Sequence, residues 1–128
     1  MDFDWDFTYY IIYPLKSQKS QIREGVPCGA GRITCRITPT GKVTPCIQLF
    51  TEAGDVTKEP FHKIWWSSKE LIKLRELLVS DLTCNTCELL PYCQVCIGQA
   101  ALEDGNLTGC CKEAKRIAEK RKEVIRNA

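Results

Sequence analysis

Cys84-Asn85-Thr86-Cys87-Glu88-Leu89-Leu90-Pro91-Tyr92-Cys93-Gln94-Val95-Cys96 holds four of the chain's nine cysteines, spaced C-x2-C-x5-C-x2-C. A C-x2-C turn aims two thiolates at one ion or cluster, and two such turns in quick succession bring both pairs into one small volume. Cys28, Cys35 and Cys46 lie upstream and Cys110 and Cys111 downstream, so the chain is expected to return to this knot from both sides. At 128 residues, 44% apolar and 27% charged, the chain has the size and composition of one soluble globular domain. Because the apolar fraction includes the cysteines and the aliphatic runs are short, metal binding is expected to supply part of the folding free energy.

The odd cysteine count argues against a fully paired disulfide framework, and Met1-Asp2-Phe3-Asp4-Trp5-Asp6 lacks the basic start of a signal peptide. A reducing, cytoplasmic location is the expectation. No apolar run approaches the length of a membrane span. A net charge of +2 is too small to point to nucleic acid, and the seven Lys or Arg against three Glu between Cys111 and Ala128 read as a solvated helix face.

Three elements follow from local pattern. Arg32 to Ile47 reads as a β-hairpin with Ile33, Cys35 and Ile37 on one face and its turn at Pro39-Thr40-Gly41. With a loop of residues 39–42, Thr38 faces Val43 and Cys35 faces Cys46, presenting two thiols together; a bulge at Gly41 shifts this register by one. Ser67-x-x-Glu70 opens a central helix to Val79 with a stripe at Leu71, Leu74 and Leu78. Cys111 to Arg126 forms a C-terminal helix that turns Ala114, Ile117, Ala118, Val124 and Ile125 to a partner surface. The first thirteen residues alternate acid and aromatic like a strand (Phe3, Trp5, Phe7), and residues 14–25 read as a linker. The fold class is therefore α+β, a small cysteine-rich domain combining hairpin, central helix, metal-binding cysteine knot and C-terminal helix.

The cysteines alone admit three metal readings. A structural zinc site needs four tetrahedral ligands, but its two knuckles are ordinarily much further apart. A bacterial-type ferredoxin shows C-x2-C-x2-C-x3-C followed by proline, a spacing absent here. Two iron–sulfur clusters sharing the central run need eight thiolates, and nine are present.

Cys28, then Gly41-x4-Cys46, the C-x2-C-x5-C run and a later cysteine together resemble the SPASM domain, the auxiliary-cluster domain of radical S-adenosylmethionine maturases. Ile37 to Cys46 resembles that family's hairpin, Phe61 to Ser68 with Leu74-Arg75-Glu76 its inter-cluster helix, and Gly105-Asn106 leading to Cys110 its closing loop. The resemblance implies two [4Fe-4S] clusters. The first would be held by Cys28, Cys35, Cys46 and Cys96, the second by Cys84, Cys87, Cys93 and Cys110, with Cys111 as the alternative to Cys110. The family usually spaces the last pair of the run by three residues, whereas Cys93-Gln94-Val95-Cys96 has two. The implied organisation is an aromatic strand and linker at 1–27, a remnant of a barrel end, then the double-cluster domain at 28–111 and a basic amphipathic helix at 112–128.

The catalytic barrel of radical S-adenosylmethionine enzymes carries C-x3-C-x2-C, and no such spacing exists in this chain. The expectation is an auxiliary cluster domain that relays electrons and shapes a substrate face, inactive alone, with a radical S-adenosylmethionine barrel and a peptide or protein substrate as partners. A zinc-binding interaction module and a stand-alone ferredoxin-like carrier are the alternatives. His62, the only histidine, is expected to be structural. Gly29-Ala30-Gly31 matches no phosphate loop and is expected to let backbone N–H groups approach cluster sulfides. Trp65 and Trp66 are expected in the core.

Overall fold

The computed structural model describes residues 25–127, so the expected N-terminal strand and most of the linker lie outside the described residues. The described part is α+β. It has a three-stranded antiparallel sheet, β1 (Arg36–Ile37), β2 (Lys42–Thr44) and β3 (Gly54–Asp55), in the order β1-β2-β3. Four α-helices follow: α1 (Phe61–Ser67), α2 (Lys69–Glu76), α3 (Ile97–Asp104) and α4 (Lys112–Arg126). Single 3-10 turns occupy Val79–Asp81 and Leu90–Tyr92. The chain forms two compact units, one of Cys28–Leu78, the other of Val79–Ala128 with the described residues before Cys28.

In the Cys28–Leu78 unit the hairpin pairs Arg36 with Thr44 and Ile37 with Val43, and the Thr38 N–H continues the ladder to the Lys42 carbonyl at 2.8 Å. Continued by count, this register sets Cys35 against Pro45, so the expected Cys35–Cys46 opposition is corrected by one residue. The cause is a three-residue loop, 39–41. The Gly41 N–H donates to the Thr38 carbonyl at 2.9 Å, and Gly41 adopts a φ of 88°, the left-handed region that glycine enters freely. Ile33 and Ile37 are exposed, whereas Val43, paired with Ile37, and Pro45 are buried.

β3 completes the sheet against β2, pairing Val43 with Gly54. A Cβ on Gly54 would lie 2.6 Å from Ile64, so the missing side chain is what lets α1 lie on the sheet. Ile64, Leu71, Leu74, Val43, Leu49 and Ala30 form this unit's buried core. Each fully buried Leu, Ile or Val contributes roughly 1.5–3 kcal/mol of transfer free energy.

The helix expected from Ser67 to Val79 is α2, shorter at both ends (Lys69–Glu76), and α1 lies before it. Ser68 is extended (φ −66°, ψ 124°), ending α1 and preceding α2, and its hydroxyl makes no cap hydrogen bond. At the other end Leu77 is extended, and its carbonyl is taken by the Arg32 guanidinium at 2.8 Å. That competing acceptor role stops the helix at Glu76, and Leu78 is 45% exposed rather than part of the stripe. The Arg75 Nε returns the tie by donating to the Gly31 carbonyl at 2.8 Å.

In the other unit Leu82, Leu89, Ile97, Ala100, Cys111 and Ala118 are buried. α3 ends where Gly105 turns left-handed (φ 68°) and its N–H meets the Ala101 carbonyl. No helix among the described residues is long and apolar enough to cross a membrane.

Candidate metal centre

The central run is a chain of turns. The Cys87 N–H donates to the Cys84 carbonyl at 2.9 Å, Leu90 to Cys87 at 3.1 Å and Cys93 to Leu90 at 3.1 Å. Pro91 sits inside the 3-10 turn, where its missing donor is not needed. The chain returns through residues 105–109. Asn106 Oδ1 accepts from the Thr108 N–H and hydroxyl, while the Thr108 carbonyl accepts from the Thr83 N–H and hydroxyl, each at 3.0 Å. Thr83 adjoins Cys84 and Thr108 precedes Cys110 by two residues, so this double bond carries the downstream cysteines back to the first of the run.

Six thiols, Cys84, Cys87, Cys93, Cys96, Cys110 and Cys111, consequently line one hollow. The remaining lining includes Leu89, Leu90, Val95 and Ala114, and the space between atoms is about 400 Å³ with its mouth included. Thiolate donors inside an apolar shell are the donor set an iron–sulfur cluster takes. Among the described residues no three Cys, His, Asp or Glu side chains gather as ligands of one metal ion.

The sulfurs differ in their local bonds. Cys96 and Cys111 cap helices: Cys96 Sγ accepts the Gln99 N–H at 3.4 Å at the start of α3, and Cys111 Sγ accepts the Ala114 N–H at 3.4 Å at the start of α4. Cys111 also points its thiol at Glu103 Oε1, 3.7 Å away, and the other Glu103 oxygen accepts the Lys112 N–H at 2.7 Å.

Burial pushes the Cys84 thiol above its ordinary pKa, with the negative charges of Cys110 and then Cys87 adding to it. Cys93 is pushed up to about 11, by burial first and then by the charges of Cys84 and Cys110, against the opposing Arg121. Cys111 rises mainly through burial, with Glu103 adding and the Ala114 N–H opposing. Metal ligation requires thiolates, so loading this hollow expels protons.

The other unit carries Cys28, Cys35 and Cys46, all half-buried. The Gly31 N–H donates to the carbonyls of Thr34 (3.0 Å) and Pro45 (3.2 Å), bringing the segment between Cys28 and Cys35 beside the residue before Cys46. Burial raises the Cys35 pKa, and Cys46 Sγ accepts the Gln48 N–H at 3.3 Å. In Gly29-Ala30-Gly31 the Gly29 carbonyl accepts from the N–H groups of Arg32, Ile33 and Thr34. His62 is exposed on α1. Of the expected core tryptophans, Trp65 is half-buried under the Arg75 guanidinium (4.6 Å to the ring centre), whereas Trp66 is 70% exposed.

Sequence reading missed α3, β3, Glu103 and Arg121. Gly105 after an Ile97-x-x-Ala100 spacing is a helix-stop signal for α3. Arg121 falls three residues after Ala118 on the inward stripe of α4, a position the 3.6-residue period marks as buried.

An iron–sulfur cluster-binding domain is the class these sulfurs and this fold define. The SPASM family, an iron–sulfur cluster-binding domain, matches residues 28–97, and the chain belongs to it. It is similar to the AdoMet-dependent heme synthase of Methanosarcina barkeri, 32% identical over 79 residues that make up 62% of this chain and 23% of that protein. It is also similar to the enzyme of the same name from Nitratidesulfovibrio vulgaris, 33% identical over 73 residues, 57% of this chain and 20% of the relative. The chain thus spans about a fifth of the length of these curated relatives. No solved structure matches it.

Proposed function

We propose that this chain holds two [4Fe-4S] clusters and relays electrons to or from a radical S-adenosylmethionine centre in another part of the same polypeptide or in another chain, while forming part of the substrate-binding face. The observation that carries the proposal is the convergence of Cys84, Cys87, Cys93 and Cys110 on one apolar hollow, closed by the Thr83–Thr108 tie. Those four are the second cluster's ligands. Cys110 is favoured over Cys111 because its charge acts on both Cys84 and Cys93, whereas Cys111 turns its thiol to Glu103. Cys28, Cys35 and Cys46 are the first cluster's ligands in their unit.

A cluster with four thiolates supplies one-electron storage and has no open iron for a substrate, which favours relay. The protein's part is to present thiolates, shield them with Leu89, Leu90 and Val95, and hold the return loop in place. The names of the two relatives make a haem-forming reaction the first activity to test, ahead of peptide or protein maturation. The barrel is the expected partner, and the setting is cytoplasmic.

Anaerobic reconstitution followed by iron, sulfide and zinc analysis with the visible spectrum tests the assignment. About eight irons per chain are expected for two cubanes. Substantial zinc with no iron would overturn it in favour of a zinc module. The chain alone is expected to form no 5′-deoxyadenosine from S-adenosylmethionine under strong reduction, and detectable product would overturn the relay role.

A further inference from the structure

Arg121 lies on α4 and is 4% exposed, an unusual place for a guanidinium. Its Nη1 donates to the Tyr92 carbonyl at 3.2 Å and its Nη2 to Gln94 Oε1 at 3.4 Å. These acceptors, one a backbone carbonyl and the other a side-chain amide oxygen, belong to the residues on either side of Cys93, so the guanidinium ties together the two neighbours of that thiol. The third donor, Nε, is buried and makes no hydrogen bond. A buried cationic donor left unpaired is costly, so its retention calls for an acceptor; Arg121 does not itself line the hollow, and the lining thiol it acts on is Cys93. Burial pulls the Arg121 pKa below its ordinary value, and the charge that Cys93 carries once deprotonated, as it is when it ligates a metal, opposes that shift.

We infer that Arg121 is a positioning residue for the second cluster: its Nη groups fix the mount of Cys93, and its Nε–H donates to sulfur at that corner of the cluster. This rests on the reading that Cys84, Cys87, Cys93 and Cys110 hold that cluster. One-electron reduction adds one negative charge to the cluster, and a fixed cation in a low-dielectric surrounding stabilises that added charge. Arg121 therefore raises the midpoint potential. A merely structural arginine would bind residues 92 and 94 equally well, yet its replacement would leave the potential where it was.

The test is a mediated redox titration, followed by electron paramagnetic resonance, on reconstituted wild type, Arg121→Gln and Arg121→Lys. Of the two one-electron steps, one is expected to move down in Arg121→Gln by at least tenfold in the reduced-to-oxidised ratio at fixed potential, about 59 mV for a one-electron couple. The other step stays in place as an internal control. Arg121→Lys keeps the charge and is expected to recover most of the shift. Unchanged steps in Arg121→Gln, with full iron, would overturn the inference while leaving the two-cluster reading intact; a wild type without iron would remove that reading itself. If Arg121→Gln does not fold, wild type carrying isotopically labelled arginine nitrogens decides by pulsed resonance. A guanidinium nitrogen coupled to a reduced cluster supports the contact, and no coupled arginine nitrogen refutes it.

Discussion

Replacing Cys110 and Cys111 by alanine, one at a time, separates a ligand from a helix cap. Cys111 is 6% exposed, and its Sγ accepts the Ala114 N–H at the first turn of α4. Loss of a side-chain cap costs about 1 kcal/mol. Removing a buried atom of roughly methylene size costs about 0.8 kcal/mol more. Cys111→Ala should therefore lower stability by about 2 kcal/mol, near 8 °C in melting temperature if each kcal/mol shifts a domain of this size by about 4 °C. Its iron content should be unchanged. Cys110 follows Gly109 in the return loop and begins no helix, so Cys110→Ala should remove one cubane, about four irons of eight. The assay is iron and sulfide content of each reconstituted variant beside its anaerobic thermal unfolding. Full iron in Cys110→Ala together with halved iron in Cys111→Ala would refute the assignment of roles.

Gly41→Ala places a side chain at φ 88° and a Cβ 2.7 Å from Thr57 Cγ2. The left-handed conformation costs about 1–2 kcal/mol and the overpacking about 1–3, so denaturant unfolding should show a loss of about 2–5 kcal/mol; a loss under about 0.5 kcal/mol would be inconsistent with this geometry. Leu71, fully buried beside Gly31, should lose about 2–5 kcal/mol on Leu71→Ala, read by the same assay. The Thr57 hydroxyl, then Lys42, and the Thr57 N–H hold the Asp55 carboxyl well below the usual carboxylate range. A depressed folded-state pKa contributes stability that is present above about pH 4 and lost as pH falls further. Wild type should thus destabilise more steeply than Asp55→Asn between about pH 5 and pH 2, and parallel acid profiles would count against it. Lys42, raised first by its bond to Asp55, carries the opposite sign: its contribution is present at neutral pH and is lost above about pH 10.

What was legible in the sequence was whatever a short-range pattern encodes. The C-x2-C-x5-C-x2-C spacing announced the knot because a two-residue gap is itself a turn, and the Cys87-to-Cys84 hydrogen bond is that turn. Gly41 announced the hairpin because few residues tolerate its conformation. The register failed to follow because it depends on whether the loop holds three residues or four, a choice made by the Gly41–Thr38 hydrogen bond. The stop at Glu76 was hidden for a related reason, since Arg32, far away in sequence, takes the Leu77 carbonyl. Arg121 was passed over because charge was read as exposure. Its long side chain instead enters the interior to reach two acceptors flanking a thiol.

The contiguity of the Cys28–Leu78 unit sets an order of events at the ribosome. Its sheet, its core and the ties from Arg32 to Leu77 and from Arg75 to Gly31 are all encoded once Leu78 has been made. The six-sulfur hollow cannot close until the Thr83–Thr108 tie forms and α4 arrives. At about 5–20 residues per second, the roughly thirty residues between Leu78 and Thr108 take a few seconds to appear. Within that interval the thiols of the central run, Cys84 to Cys96, are made before the loop and helix that later enclose them. The sulfurs of Cys28, Cys35 and Cys46 are therefore translated before any sulfur of the six-thiol hollow.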